Sequence, residues 1–244
     1  MNNRKVILLE NATPLDSNLK DWDVNREIGN VGNPEPLTIL IPKDDTDNPL
    51  YNYWREQKIP WAHSRNALFE KAVELTSKLN GLDLDFGTLS GNCITLMANL
   101  LPNKIIYGFD SWKGYPADFG VQGKGAWAIP IPTNLPSNTK LIVGLFQDTL
   151  INFLKEKQQK INIIHIDCDL YDSTKYVFDN CYPYIQIGTV VQFNGLFNRN
   201  VLNHTLYWFN DELTAWNDFI TEKNIKWEWI GSQGFSASMI IKEM

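Results

Sequence analysis

From Arg65 onwards the sequence alternates between short strand-like runs and longer helix-like segments, and this alternation restricts the fold more than any other feature. Leu68, Ala72, Leu75 and Leu79 recur every three or four residues, which predicts an amphipathic helix ending near Asn80. Five strand-like runs follow: LDLDFG, KIIYGFD, KLIVGLF, INIIHID and GTVVQFN. Strands that alternate with helices predict a parallel sheet covered by helices on both faces.

Two further strand-like runs close the sequence, IKWEWIG and FSASMIIKE, with a short Ser/Gly connection and no helix between them. This pattern predicts an antiparallel hairpin at one edge of the sheet. Five parallel strands followed by such a hairpin resemble the Rossmann-like sheet of the class I methyltransferases, an α/β fold.

Residues 1–64 differ from the rest because they mix turn formers with only two apolar runs, KVILLE and LTILIP. We expect residues 1–64 to form an N-terminal arm that serves as a lid or an oligomer contact. Residues 65–244 are then the ligand-binding domain, and a homo-oligomer is compatible with this division.

The charge and the cysteine content exclude several classes of protein. A net charge of −6 and a pI near 5.1, with no basic stripe, argue against nucleic-acid binding. The longest apolar runs fall short of the ~20 residues that a membrane span needs. Three cysteines without metal-like spacing suggest neither a disulfide framework nor a zinc site. We therefore expect a cytoplasmic protein with reduced thiols and no membrane partner.

Acidic residues follow the fourth strand-like run directly. Ligands of an open parallel sheet bind beyond the carboxyl ends of its strands, so Asp167 and Asp169 are candidates for a site. Asp172 is also explained by the dipole of the next helix alone. Ser173 or Thr174 is expected to cap that helix.

The ends of the first three strands supply further candidates. Asp85 precedes Gly87 and Gly91, which allow a tight turn and a close approach to a ligand, although a nucleotide-binding G-x-G-x-x-G pattern is missing. Asp110 follows the second strand, where a carboxylate would hold a ribose diol. The remaining candidates are Ser111, Trp112, Gln147 and Asp148. Trp112 either stacks on a base or packs in its loop. Asp148 follows the third strand and is expected to cap a helix.

The motifs YGFDSWKGYP, GLFQDTL and HIDCDLYDSTK together resemble the macrocin O-methyltransferase family, whose members use S-adenosylmethionine to methylate sugar hydroxyls. The resemblance implies that Asp85, Gly87 and Gly91 line the methionine end of the cofactor and that Asp110 holds its ribose. It also implies that Gln147 and Asp148 border adenine, and that Asp167 and Asp169 face the methyl group and the acceptor. Glu212, Ala215 and Trp216 resemble the family's helix after strand five.

One position departs from the family. Its members end strand five with two acids that bind Mg²⁺ together with the strand-four Asp, but Asn194 and Gly195 stand here. Magnesium is held by carboxylates in octahedral oxygen geometry, so Asp167 beside a neutral Asn194 predicts poor Mg²⁺ binding. A simple Asn-Gly turn explains the pair equally well.

We therefore predict an S-adenosylmethionine-dependent O-methyltransferase that acts on a hydroxyl of a sugar or of a glycosylated small molecule. Asp167, Asp169 and His204 are the candidate bases, whereas His165 within a strand is expected to be a core residue. His63 is assigned to the acceptor lid. Because these acids are missing, a second hypothesis stays open: a catalytically degenerate protein that binds the cofactor and serves as a partner or scaffold in a biosynthetic pathway. A third hypothesis, a nicotinamide oxidoreductase, rests on fold analogy alone.

Overall fold

The computed structural model describes residues 6–9, 39–42, 59–60, 62–119, 122–196, 212–233 and 235–244, the first two ranges by their backbone alone. The strands are β1 (Val6–Leu9), β2 (Ile39–Pro42), β3 (Leu82–Phe86), β4 (Ile106–Asp110), β5 (Thr139–Val143), β6 (Ile161–Ile166), β7 (Val190–Phe193), β8 (Lys226–Gln233) and β9 (Ser236–Glu243). The α-helices are α1 (Arg65–Thr76), α2 (Asn92–Leu100), α3 (Phe146–Lys157), α4 (Tyr171–Cys181) and α5 (Glu212–Glu222).

Seven strands form one sheet in the order β5-β4-β3-β6-β7-β9-β8. Strands β3 to β7 run parallel to one another, and β9 pairs antiparallel with both β7 and β8. The predicted Rossmann-like methyltransferase sheet with its terminal hairpin is confirmed. The chain reverses its strand order between β3 and β6, where ligands bind in folds of this kind.

Helices cover both faces of the sheet, as the alternation predicted. On one face α1 and α2 pack through Phe69, Ala72, Ile94 and Met97. On the other face α3, α4 and α5 pack through a larger set that includes Phe153, Phe178, Trp216 and Phe219. Every residue of β3 and β6 is buried, as in central strands of parallel sheets.

Three predicted helix boundaries are wrong. Helix α1 ends at Thr76, well before Asn80, and the Thr76 hydroxyl donates a hydrogen bond to the Ala72 carbonyl at 2.8 Å. Helix α3 is capped by Leu145 in extended conformation, so Asp148 is the third residue of the helix and does not cap it. The early start places Phe146 edge-on against Phe86 in the core, at 5.4 Å between ring centroids.

The third wrong boundary is the start of helix α4. Leu170 precedes the helix in extended conformation without a side-chain cap, and Ser173 and Thr174 lie buried within the first helical turn. The helix begins at Tyr171, whose hydroxyl donates to Asp218 of α5 at 2.7 Å. Packing between helices therefore overrides the local capping preference at this position.

The segment before α1 joins the edge of the sheet. The Ser232 N–H donates to the Pro60 carbonyl and the Ala62 N–H donates to the Ser232 carbonyl, each at 2.7 Å. Ile59 is buried in the larger core cluster. These residues thus pack with the domain assigned to 65–244. Farther upstream the two apolar runs of the arm form β1 and β2, which pair in parallel; the role of residues 1–64 as a lid or an oligomer contact stays a prediction.

No helix among the described residues has the length and apolar character needed to cross a bilayer.

A buried acid in β3 makes the stability of the fold depend on pH. The side chain of Asp83 is 1% exposed, with the Lys104 ammonium 3.6 Å away. Burial raises the pKa of Asp83 from 3.8 to about 6, although Lys104 opposes the shift. The folded chain therefore holds this proton to higher pH than the unfolded chain does, so its contribution to stability is greatest in acid and falls as the pH rises through about 6.

The amide of Asp83→Asn does not titrate. We therefore expect its free energy of unfolding, relative to that of the wild type, to increase by on the order of 1 kcal/mol when the pH is raised from 5 to 8. Urea unfolding of both proteins at the two pH values measures the difference. Asp172→Asn is the matched control, since Asp172 is exposed to water. A stability difference that stays constant with pH would contradict the assignment.

Candidate active site

A cavity of about 560 Å³ opens at the carboxyl ends of the parallel strands. Its wall includes the residues that follow β3, β4, β5, β6 and β7, together with Arg65 and part of the loop after β4. The volume lies within the range of small-molecule sites, about 300–1,000 Å³. The acidic strand ends of the sequence therefore meet around one cavity.

The ends of β3 and β6 approach each other closely at Gly87. Gly87 has φ +86°, and a Cβ on it would lie 2.0 Å from the Asp167 carbonyl oxygen. The Gly87 N–H donates to the Phe109 carbonyl at 2.9 Å, and the Asp167 N–H donates to the Phe86 carbonyl at 2.8 Å. These bonds continue the sheet past the strand ends and hold Asp167 beside Gly87. A side chain at position 87 is excluded by the neighbouring backbone.

Asp110 at the end of β4 organises the two loops beside it. One carboxylate oxygen accepts from the Leu89 N–H and the other from the Trp112 N–H, each at 2.8 Å. A carboxylate offers about four lone-pair positions, so these two bonds leave each oxygen able to accept another hydrogen bond. Because Asp110 also lines the cavity, it can accept from two hydroxyls of a ligand.

Trp112 packs within this loop structure and is absent from the cavity wall. It is 6% exposed, and its indole N–H donates to the Leu89 carbonyl at 2.8 Å. Leu89 and Trp112 both have positive φ angles, 47° and 54°. The packing alternative that the sequence left open for Trp112 thus describes its position, because the indole joins two strained turns.

A chain of hydrogen bonds links the ends of β6 and β7 to α1. The amide nitrogen of Asn194 donates to Asp167 Oδ2 at 2.9 Å. The amide oxygen of Asn194 accepts from Arg65 Nη1 at 2.8 Å. The backbone carbonyl of Asn194 accepts from the Ser236 hydroxyl at 2.9 Å, which fixes the residue against β9. Asn194 therefore bridges a carboxylate and a guanidinium.

Asp169 and Glu212 both lie near Gly195, where a Cβ would be 3.6 Å from Asp169 Oδ1 and 3.7 Å from Glu212 Oε2. Asp169 has φ +59°, and its Oδ2 accepts a short hydrogen bond from the Tyr115 hydroxyl. Buried Glu212 accepts from the Cys168 and Asp169 N–H groups through one oxygen, Oε1, at 2.9 Å each. Glu212 thus holds the turn that places Asp169 in its left-handed conformation.

Burial, with a smaller contribution from neighbouring carboxylates, raises the pKa values of Asp167 and Glu212. Burial raises the pKa of Asp167 to about 6; the nearby His165 and the Asn194 hydrogen bond oppose the shift, and Asp169 adds to it. Burial also raises the pKa of Glu212 well above its ordinary value, and the charges of Asp169 and Asp167 add to that effect. Near neutral pH, Asp167 is therefore a carboxylate that can accept a proton, a property expected of a general base.

Asp85 lies beneath the site. It is buried in β3, and its carboxylate is 2.6 Å from His165 Nδ1 of β6. His165 is fully buried and packs against Phe69 of α1, as predicted for a core histidine. This buried pair connects the two central strands.

The structure brings six of the predicted site residues to the cavity: Gly87, Asp110, Ser111, Gln147, Asp167 and Asp169. Four others stand outside its wall: Asp85, Gly91, Trp112 and Asp148. Gly91 is the N-cap residue just before α2 and has a left-handed conformation; a Cβ there would meet the Leu135 side chain at 2.5 Å. His63 is exposed and does not line the cavity. His204 lies outside the described residues.

Arg65 and Tyr115 are two of the cavity residues that the sequence analysis missed. Arg65 was treated only as the start of a helix, and its partner Asn194 is 129 positions away. Tyr115 belongs to the motif YGFDSWKGYP, whose Gly-Tyr-Pro end carried no assigned role. Nothing in the local pattern around Arg65 indicates a site, whereas the position of Tyr115 in a recognised motif offered a usable signal.

Three acids around the end of β6 do not fit a divalent cation. Each of the three accepts hydrogen bonds from the protein: Asp167 from Asn194, Asp169 from Tyr115, and Glu212 from two backbone N–H groups. Within the described ranges, no group of three or more His, Cys, Asp or Glu side chains is arranged to hold a metal ion. Mg²⁺ requires oxygen ligands at about 2.0–2.1 Å in near-octahedral geometry. In the described part of the chain, these acids are therefore not arranged to hold such an ion.

We expect Gly87→Ala to destabilise the protein by on the order of 3–5 kcal/mol, because the new methyl group would overlap the Asp167 carbonyl. Thermal unfolding measures the loss. Gly123→Ala is the control, since only the Asp118 side chain comes within 4 Å of a Cβ there, at 3.8 Å. Equal unfolding temperatures for the two variants would show that the β3–β6 approach is looser than described.

Comparisons with known proteins agree with this architecture. A family model described as a methyltransferase domain matches residues 84–195. The calicheamicin methyltransferase CalS11 superimposes with a TM-score of 0.60 at 18% identity, covering 92% of this chain and 93% of that chain. The O-methyltransferase NovP gives a TM-score of 0.58 at 17% identity, with 79% of this chain and 88% of that chain covered. A comparison with curated proteins gives no match.

The macrocin family itself is not singled out by these matches, so that resemblance stays a prediction. The matched family model spans all five strand ends that surround the cavity, from within β3 to Gly195. Residues 84–195 thus match a methyltransferase domain, and this match supports the predicted S-adenosylmethionine-dependent methyltransferase.

Proposed function

We propose that the protein transfers a methyl group from S-adenosylmethionine to a hydroxyl of a sugar or of a glycosylated small molecule. The observation that carries the proposal is the placement of two acids on one cavity wall. Asp110 at the end of β4 suits a ribose, and Asp167 at the end of β6 suits an acceptor hydroxyl. Strand β3 separates these two strands, so one ligand can extend past Gly87 from one acid to the other.

The cofactor side of the cavity follows from the strand ends. Asp110 keeps lone pairs for the two ribose hydroxyls, since its backbone contacts use one position on each oxygen. Gly87 presents bare backbone beside Asp167, which allows a ligand to approach closely. Gln147 lines the wall after β5 and, with Asp148 beside it in sequence, stays the candidate for bordering adenine.

S-adenosylmethionine supplies an electrophilic methyl group on a sulfonium. The chain's own residues align the acceptor and remove its proton. Alignment contributes at best roughly 7–11 kcal/mol to such a reaction, and a positioned base adds about 10²–10⁴-fold. Asp167 is the base that we propose, because the Asp169 carboxylate is turned towards the Tyr115 hydroxyl. His204 stays a candidate from the sequence.

The nature of the acceptor is supported by the structural relatives. A second structure of CalS11, described as a TDP-rhamnose 3'-O-methyltransferase of calicheamicin biosynthesis, has a TM-score of 0.52 at 19% identity and covers 82% of this chain and 86% of that chain. The similarity extends over most of both chains. A nucleotide sugar or another glycosylated compound is therefore the first class of acceptor to test.

We expect Asp110→Ala to weaken the binding of S-adenosylhomocysteine by roughly 10- to 100-fold, because charge-assisted hydrogen bonds to the ribose are lost. Isothermal titration calorimetry measures the affinity. Asp172→Ala is the matched control, since Asp172 is exposed and stands outside the cavity wall. The ribose assignment is wrong if Asp110→Ala leaves the affinity intact, and wild-type protein that binds neither S-adenosylhomocysteine nor S-adenosylmethionine would remove the proposed function.

Transfer should fall as the pH drops below about 6, because protonation of Asp167 removes the base. Asp167→Asn should lower the transfer rate by about 10²–10⁴-fold and abolish this pH dependence while leaving cofactor binding in place. Release of S-adenosylhomocysteine in the presence of TDP-rhamnose and a panel of glycosylated acceptors measures the rate, and exposed Asp172→Asn is the control. Cofactor binding without transfer to any acceptor would instead favour the partner protein without catalysis.

A further inference from the structure

At the end of β7 an amide stands between a carboxylate and a fixed positive charge. Asn194 donates to Asp167 at 2.9 Å and accepts from the Arg65 guanidinium at 2.8 Å. All three side chains line the cavity. Their order along the wall is cation, neutral amide and base.

The position of Arg65 is fixed by the fold. It is the first residue of α1, and the Ser64 hydroxyl in front of it caps the helix by accepting from the Ala67 N–H at 3.1 Å. Helix α1 packs on the sheet through buried Leu68 and Phe69. The guanidinium therefore reaches the cavity from a helix that is anchored in the core.

Arg65 has donors left for a ligand. A guanidinium is always charged and carries five N–H groups. Within the described part of the chain, its hydrogen bond to Asn194 uses one of them. An acceptor oxygen beside Asp167 would therefore find a carboxylate for its proton and a cation for the charge that develops on it.

Resting on the function proposed above, we propose that Arg65 and Asn194 replace a divalent cation in this site. Arg65 supplies the positive charge and a donor to the acceptor oxygen, and Asn194 orients Asp167. In the reaction the acceptor's O–H proton passes to Asp167 and the oxygen forms a bond to the methyl carbon. The S–CH₃ bond breaks and its electron pair stays on sulfur, which becomes a neutral thioether.

The metal part of the proposal is tested by titrating the protein with Mn²⁺. Electron paramagnetic resonance measures binding as a loss of the free-ion signal. Wild-type protein loaded with S-adenosylhomocysteine should not bind Mn²⁺ at this site. Arg65→Met/Asn194→Asp removes a positive charge and adds a carboxylate next to Asp167, so it should bind Mn²⁺ roughly tenfold more tightly or better. Adding Asp167→Asn to this variant should remove the gain.

Two results would overturn the proposal. One is Mn²⁺ binding to the wild type that Asp167→Asn abolishes. The other is a double variant that binds S-adenosylhomocysteine normally but gains no Mn²⁺. Thermal unfolding of each variant checks that it folds.

The role of Arg65 in transfer has a separate test. Arg65→Met should lower the transfer rate at least roughly tenfold, equally in Mg²⁺ and in chelator, and Arg65→Lys should restore part of the rate because it keeps the charge. Affinity for S-adenosylhomocysteine should stay unchanged in both. Wild-type transfer that stops in chelator, or an unaffected Arg65→Met, contradicts the proposal. A wild type that binds cofactor but methylates no acceptor defeats the proposed function, and the Mn²⁺ titration still decides whether the site takes a metal.

Discussion

The close approach of the β3 and β6 ends at Gly87 is the constraint on which the site depends. Backbone hydrogen bonds carry the sheet one residue beyond each strand, and the bare α-carbon of Gly87 lets the Asp167 carbonyl come near. Asp167 therefore emerges at the centre of the sheet rather than at its rim. The neighbouring ends of β4 and β7 then place Asp110 and Asn194 on either side of it.

Several acids at one edge of a sheet repel one another, and in this protein each of them accepts hydrogen bonds from a different donor. Asp167 has the Asn194 amide, Asp169 has the Tyr115 hydroxyl, and Glu212 has two backbone N–H groups. Arg65 adds the positive charge behind the amide. Each acid is thereby held by a separate partner, and Asp167 stays at the cavity wall, where it can accept a proton.

The sheet was predictable because its signals are local: alternating runs, turn residues, and acids at strand ends. The same local reasoning failed where tertiary packing determines the position of a side chain. Asp148 does not cap its helix because Phe146 already packs in the core, and Trp112 joins two turns instead of facing a ligand. Asp85 resembles a ligand-binding acid in sequence, yet its partner is His165 on the next strand. Arg65 was unpredictable, since only the folded chain brings it to Asn194.

The antiparallel strand β9 lies between β7 and β8, and it supplies the Ser236 hydroxyl that holds the Asn194 backbone. Synthesis on the ribosome proceeds from the amino end, so β9 emerges after all of its neighbours in the sheet. A nascent chain can assemble β3 to β6 earlier, but the wall that carries Asn194 lacks its support until β9 inserts. Completion of the wall that carries Asn194 therefore waits until β9 has been synthesised, after the other six strands of its sheet.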